Sequence, residues 1–159
     1  MSALVVIGIA LSFVVGNNTT DRNGNPVHTQ APGAWMYVVI LVLGVAMAAL
    51  VQIVGYRIAP LDPNLSPAEA RAAGIQAYQK SMILRFALSE LVAIVAIALL
   101  FAARSNTILP YVLAAAIAEL LMAYHVWPSE SLISRVQQRL DRNGGRSDLA
   151  NALNGTASY

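Results

Sequence analysis

The chain contains no cysteine and only two histidines. Disulfides, thiolate nucleophiles and cysteine-based zinc or iron–sulfur sites are therefore excluded within it. The sequence has no Glu-x-x-His pair, and its histidines fall on opposite sides of the predicted membrane, so we expect no metal site and no cofactor. Neither the Gly-x-Ser-x-Gly motif nor a phosphate-binding loop occurs. We predict that the protein is not an enzyme.

Charged residues are also scarce, at 11% of the chain against roughly 25% in an average soluble domain. Hydrophobic residues make up 57%, and this balance is typical of a membrane protein. Four apolar runs are visible, at residues 1–16, 33–57, 82–103 and 108–127. The last three have about the 20 residues that a helix needs to cross a membrane. The first is shorter, and we interpret it as a retained helix rather than a cleaved signal because no basic residue precedes it.

The positions of the basic residues predict the orientation of these four spans. With four crossings, the amino terminus, the loop 58–81 and the segment 128–159 lie on one side of the membrane. That side holds eight of the ten basic residues: Arg57, Arg71, Lys80, Arg85, Arg135, Arg139, Arg142 and Arg146. Since cytoplasmic loops are enriched in lysine and arginine, we expect both termini to be cytoplasmic, in a bacterial inner membrane.

Four side chains are predicted to anchor the spans at the membrane surfaces. Trp35 and Trp127 lie at span ends, where amphipathic rings favour the headgroup region, and Tyr111 lies at the start of the fourth span. Arg85 is only about 4.5 Å inside the inner end of the third span, given a rise of 1.5 Å per residue. We expect its long side chain to extend out to the headgroups rather than to pair with a glutamate.

The segment before the third span carries a strong helix-start signal. Ser66-Pro67-Ala68-Glu69 combines a capping box with proline at the first helical position. Since the next proline is Pro110, we expect one helix from Pro67 through the cytoplasmic segment and across the membrane to Ala103.

A short amphipathic helix is predicted after the fourth span. Its two faces carry Leu132, Ile133, Val136 and Leu140 on one side and Arg135, Arg139 and Arg142 on the other. Such a basic helix suits docking on the membrane surface or on another subunit. Aromatic residues are not interleaved with these arginines, so we expect no nucleic-acid partner. Asn143-Gly144-Gly145 ends the helix, and we predict a flexible tail to residue 159.

Two glutamates, Glu90 and Glu119, lie within the third and fourth spans, each eight residues from the cytoplasmic end. Both are therefore roughly 12 Å deep. Alanines surround them, among them Ala115 and Ala116 beside Glu119, and small residues indicate a face that packs on other helices. Gln52 in the second span joins them in a predicted polar layer.

This layer of Gln52, Glu90 and Glu119 has three interpretations. Hydrogen bonds between helices would make it a packing element, and two nearby carboxyls that share a proton would make it a proton or cation site. Contact with a partner subunit or with lipid is the third. A carboxyl group inside a membrane is costly, by roughly 3 kcal/mol on insertion scales, so each interpretation gives it a partner or a task.

The run from Ala87 to Ile94, which follows a basic loop, resembles the outer helix of rotary ATPase proteolipid subunits. The resemblance covers roughly twenty of the 159 residues and implies that Glu90 carries a proton or a sodium ion. That family's glycine-rich partner helix has no counterpart, since the second span holds only Gly44 and Gly55 internally.

The sequence thus predicts an all-α, four-helix transmembrane bundle with a cytoplasmic extension of its third helix. We expect a non-catalytic accessory or scaffold subunit of a larger membrane complex, a respiratory or other energy-converting one, surrounded by lipid and other integral membrane subunits. The alternative is a small proton- or cation-coupled transporter or channel that uses the carboxylate pair.

Overall fold

The computed structural model describes residues 3–17 and 31–154. It is all-helical, as predicted, with no strand in the described ranges. The helices are α1 (Ala3–Asn17), α2 (Ala34–Leu50), α3 (Pro67–Ala102), α4 (Leu109–His125), α5 (Glu130–Leu140) and α6 (Leu149–Asn154). A π-helix, Val51–Gly55, continues directly from α2.

Two helical stretches are long and apolar enough to cross a membrane, Ala34–Gly55 and Pro67–Ala102. A third candidate is α4 together with α5, as one broken span bent by 61°. The apolar part of α1, Ala3–Val15, is shorter than a full span. Two or three helices can therefore cross a membrane, while the count of four spans and their orientation stay predictions.

Helix α3 confirms the expected start and the expected continuity. The amide of Ser66 donates to Glu69 Oε2 at 3.1 Å, and the amide of Glu69 donates back to Ser66 Oγ at 3.4 Å, which completes the capping box. At the other end, Ser105 N donates to Leu100 O and Arg104 N to Phe101 O. Arg104 has a φ of 47°, so the helix ends in a Schellman motif with arginine at its left-handed position.

The chain divides into two compact units. Unit 1 consists of residues 1–49 and 88–121, and unit 2 consists of residues 50–87 and 122–159.

Unit 1 is built on close packing of small side chains. Its core holds Ile40, Val92, Ala96 and Ala114, all fully buried. A Cβ on Gly44 would approach Ile117 Cγ2 to 2.8 Å, so α2 and α4 contact each other closely at this glycine. On α4 the buried alanines are Ala114 and Ala118, whereas Ala116 is exposed. The face of α4 that packs on other helices is therefore rotated away from the one expected around Glu119.

Unit 2 contains the amphipathic helix α5, and the chain itself covers its apolar face. Leu132, Val136 and Leu140 are 0–4% exposed. The carbonyl of Leu140 accepts from Leu61 N at 2.8 Å, and a Cβ on Gly74 would lie 3.7 Å from a Leu140 methyl carbon. The apolar side of α5 is thus buried within unit 2. The amphipathic pattern of this helix alone had suggested that the apolar side lies on a membrane surface or on another subunit. Docking by its exposed arginines stays a prediction.

The segment after α5 is packed as far as the described residues extend, where we expected a flexible tail. Asp141 Oδ1 accepts from Ser147 N at 2.7 Å, and Gln137 Oε1 accepts from Ala150 N at 3.0 Å. Asp148 forms a 2.6 Å ion pair with Arg71 of α3. Leu149 is fully buried. These tertiary contacts hold the chain in place after the turn at residues 143–145. Residues 155–159 of the predicted tail lie outside the described residues.

Replacing Leu149 by alanine is expected to destabilise unit 2, because it removes a fully buried side chain at a cost of about 2–4 kcal/mol. The matched control is Leu153→Ala on the same helix, where the side chain is 39% exposed. In thermal unfolding of the detergent-solubilised chain, Leu149→Ala should lower the Tm by several degrees and Leu153→Ala by much less. Equal shifts for both variants would contradict the packed tail.

Candidate functional site

The two carboxylates that we predict to lie inside the membrane belong to unit 1, where both side chains are half-buried. Glu90 lies on α3 and Glu119 on α4. Both helices contribute to the core of unit 1, through Val92 and Ala96 on α3 and Ala114 on α4.

Tyr111 itself is buried, with 1% exposure, whereas we expected its ring to lie at the membrane surface. Its hydroxyl donates to the carbonyl of Leu4 at 2.7 Å. A Cβ on Gly8 would lie 3.1 Å from the ring, so a glycine on α1 makes room for it. The sequence signal that could have found this contact is Gly8, a small residue in the first apolar run.

An open groove of about 420 Å³ lies between α1 and α4. Its lining is mainly apolar and includes the small residues Gly8, Ala115 and Ala116. Three polar side chains also line it, namely Ser12, Tyr111 and Glu119. The hydroxyl of Ser12 is used within its own helix, since it donates to Ile9 O at 2.6 Å. Glu119 is thus the one charged side chain among the described residues that line the groove.

Gln52, the third member of the predicted polar layer, lies in the π-helix and belongs to unit 2. Its side chain is exposed. Glu90 and Glu119 share a unit, whereas Gln52 does not, and the three-residue layer stays a prediction. A π-helix has no simple sequence signal, so the local change in the direction of the side chains at residues 51–55 could not be foreseen.

Arg85 is the largest fully buried side chain in the described part of the chain. We expected it to extend to the headgroups, but it lies instead in the interior of unit 2. Its Nε donates to Ser81 O at 3.1 Å and its Nη1 to His125 O at 2.8 Å. The guanidinium carbon lies 4.8 Å from the ring centroid of Tyr56.

Small neighbours explain why the arginine is accommodated. A Cβ on Gly55 would come within 2.6 Å of Arg85 Cγ, so only glycine leaves room for the aliphatic stem. Ser81 Oγ donates to Gly55 O at 2.6 Å and holds the end of the π-helix against α3. Tyr56 is 2% exposed, and its hydroxyl lies 3.3 Å from His125 Nδ1. The contacts of Arg85 with Tyr56, Ser81 and His125 were not predicted from the sequence.

The remaining predicted anchors lie at exposed positions. Trp35 is 53% exposed and Trp127 is 71% exposed, consistent with rings that contact lipid headgroups. On α5, Arg135 lies over Tyr56 with its guanidinium carbon 5.5 Å from the ring centroid. Arg139 Nη1 donates to Tyr56 O at 2.8 Å. Beyond the helix end, Arg142 is exposed.

The chemistry open to Glu90 and Glu119 is that of carboxyl groups, namely hydrogen bonding and the uptake or release of a proton. Within residues 3–17 and 31–154, no three or more histidine, aspartate or glutamate side chains come together as a metal site. The chain matches no protein-family model, no curated protein and no solved structure.

Replacing Arg85 by alanine is expected to destabilise unit 2 by about 2–4 kcal/mol, since it opens a cavity and removes the guanidinium donor from the buried carbonyl of His125. The control is Arg57→Ala, at an exposed arginine of the same unit, which should cost less than about 0.5 kcal/mol. Unfolding by increasing SDS in mixed micelles measures both. A loss at Arg85 no larger than at Arg57 would show that the buried guanidinium contributes nothing to the stability of the chain.

Proposed function

We propose that the protein is a non-catalytic accessory or scaffold subunit of a larger membrane protein complex. The observation that carries this proposal is the open groove between α1 and α4, with the carboxyl of Glu119 in its lining. We further propose that the occupant of this groove is a transmembrane helix of another subunit.

Two properties of the groove support a helix as its occupant. Membrane helices associate where small side chains let their backbones approach, and Ser12, Ala115 and Ala116 are small residues of the lining. The carboxyl of Glu119 is the charged group of the lining, and its oxygens can accept from a hydrogen-bonding side chain of the partner helix. The position of Glu119 along α4 would then set the register of the two helices.

The proposed setting is a bacterial inner membrane that is crossed four times, by α1, by α2 with the π-helix, by α3 and by α4, with both termini in the cytoplasm. Two or three of these stretches are long and apolar enough to span. The eight basic residues assigned to one side support the orientation. A respiratory or other energy-converting complex is the proposed partner.

Filling the groove tests the proposal. Ala116→Leu enlarges an exposed alanine in the lining, and Ala98→Leu makes the same change at an exposed alanine of α3 outside it. With a tagged chain in its native membrane, Ala116→Leu should reduce the recovery of copurified subunits about tenfold, since 1.4 kcal/mol of lost packing corresponds to that factor. Mass spectrometry after extraction in mild detergent gives the amounts.

Ala98→Leu should leave recovery unchanged, and both variants should keep the Tm of the wild-type chain. Equal recovery for wild type and Ala116→Leu would contradict the groove as the subunit contact. Recovery of a second copy of this chain alone would replace the accessory subunit by a homo-oligomer.

A second candidate function is a proton- or cation-coupled transporter or channel. The specific observation in its favour is that Glu90 and Glu119 belong to the same unit, with Glu119 accessible from the groove. Carboxyls in such a setting can exchange a proton or hold a cation as they become protonated and deprotonated.

The double variant Glu90→Gln, Glu119→Gln separates the two functions, because glutamine keeps hydrogen bonding but does not ionise. For an accessory subunit we expect unchanged assembly and no ion flux through liposomes that contain the purified wild-type chain. Flux in wild type that disappears in the double variant would favour the transporter and contradict the scaffold.

A further inference from the structure

A second, polar cavity of about 250 Å³ lies within unit 2 at the start of α5. The polar side chains that line it are those of Ser129, Ser131 and Arg135, and the rings of Tyr56 and Tyr124 form part of its wall. No carboxylate is among its described lining residues. Its volume is below the roughly 300–1,000 Å³ of sites for drug-sized molecules. The cavity therefore suits a small anionic group.

Arg135 is the charged group of this cavity, and the structure orients it. Its guanidinium lies over the ring of Tyr56, and contact with a ring face uses none of its N–H donors. Tyr56 is itself fixed, because its carbonyl accepts from Arg139 and its ring also contacts the buried Arg85. A planar guanidinium with free N–H groups matches the geometry of a phosphate.

The two serines add hydroxyl groups at the same place. Ser129 Oγ lies 3.1 Å from Ser131 Oγ and accepts from Leu132 N at 3.3 Å. One hydroxyl proton is used in the bond between the serines, which leaves the other to donate to a ligand. Together with Arg135, this arrangement offers a cation and a neutral donor to one anion.

The surroundings of the cavity indicate where the anion comes from. Tyr124, in its wall, and Trp127, two residues before Ser129, are each 71% exposed. Exposed tyrosine and tryptophan at the end of an apolar helix are typical of the headgroup region of a membrane. In the headgroup region of a membrane, the available phosphate is that of a phospholipid.

We propose that this cavity binds the phosphate of an anionic phospholipid, with Arg135 as its charged ligand and Ser129 and Ser131 as its hydroxyl ligands. Of the three arginines predicted to dock on the membrane, only Arg135 lines the cavity. Arg139 is committed to Tyr56 O, and Arg142 lies beyond the end of α5. This site is in unit 2, and it does not depend on the groove proposed for subunit contact.

The test compares Arg135→Gln with Arg142→Gln, which makes the same change of charge at an exposed arginine. The full-length chain in neutral detergent is titrated with phosphatidylglycerol, and native mass spectrometry counts the lipids retained. Loss of one charge-assisted contact should weaken retention about tenfold for Arg135→Gln and leave Arg142→Gln within about twofold of wild type. Phosphatidylcholine with the same acyl chains should be retained at least about tenfold less than phosphatidylglycerol.

A second variant keeps all charges and tests the cavity itself. Ala123→Leu enlarges an exposed alanine in the wall, and it should weaken the retention of phosphatidylglycerol as Arg135→Gln does. Equal losses for Arg135→Gln and Arg142→Gln would overturn the proposal in favour of diffuse attraction between charges. Displacement of the lipid by millimolar inorganic phosphate would overturn the lipid as the source of the phosphate. Unchanged retention in Ala123→Leu would overturn the cavity as the site.

Discussion

The guanidinium of Arg85 is a positive charge with no exposure to solvent, and the packing of unit 2 depends on how that charge is satisfied. Removing such a group from water is costly unless hydrogen bonds and an electron-rich neighbour replace its hydration. The carbonyls of Ser81 and His125 and the ring of Tyr56 supply that replacement. Arg85 therefore joins three parts of unit 2: α3, the last residue of α4 and the chain that follows the π-helix.

The same constraint shapes the surface of unit 2. Because Tyr56 is held between Arg85 and Arg139, its other contacts are determined, and Arg135 lies over its ring beside the two serines. A structural cation in the interior thus supports the cavity proposed for a lipid phosphate. In unit 1 a buried tyrosine, Tyr111, joins two helices in a similar way. Its hydroxyl donates to the backbone of α1, and its ring lines the same groove as Glu119.

Local signals predicted the helices well, and tertiary contacts account for what they missed. Ser66 and Glu69 mark the start of α3 because a capping box acts within four residues, and no proline interrupts the helix before its end. The direction of Arg85 depends on space left by Gly55 and on a carbonyl 40 residues away, which no local pattern encodes. The burial of Leu149 and the exposure of Ala116 likewise depend on helix packing. Glu90 and Glu119 can be picked out from the sequence because they lie in apolar runs, whereas the contact of Tyr111 with α1 depends on how the helices pack.

We propose that this chain works as a subunit of a larger membrane complex. Native mass spectrometry of the wild-type protein, released from its own membrane with bound lipid, distinguishes a subunit from a protein that works alone. We expect a dominant species that contains one or more different membrane proteins at fixed stoichiometry with the 16.9 kDa chain. A population consisting only of the chain alone, or of copies of itself, would contradict it.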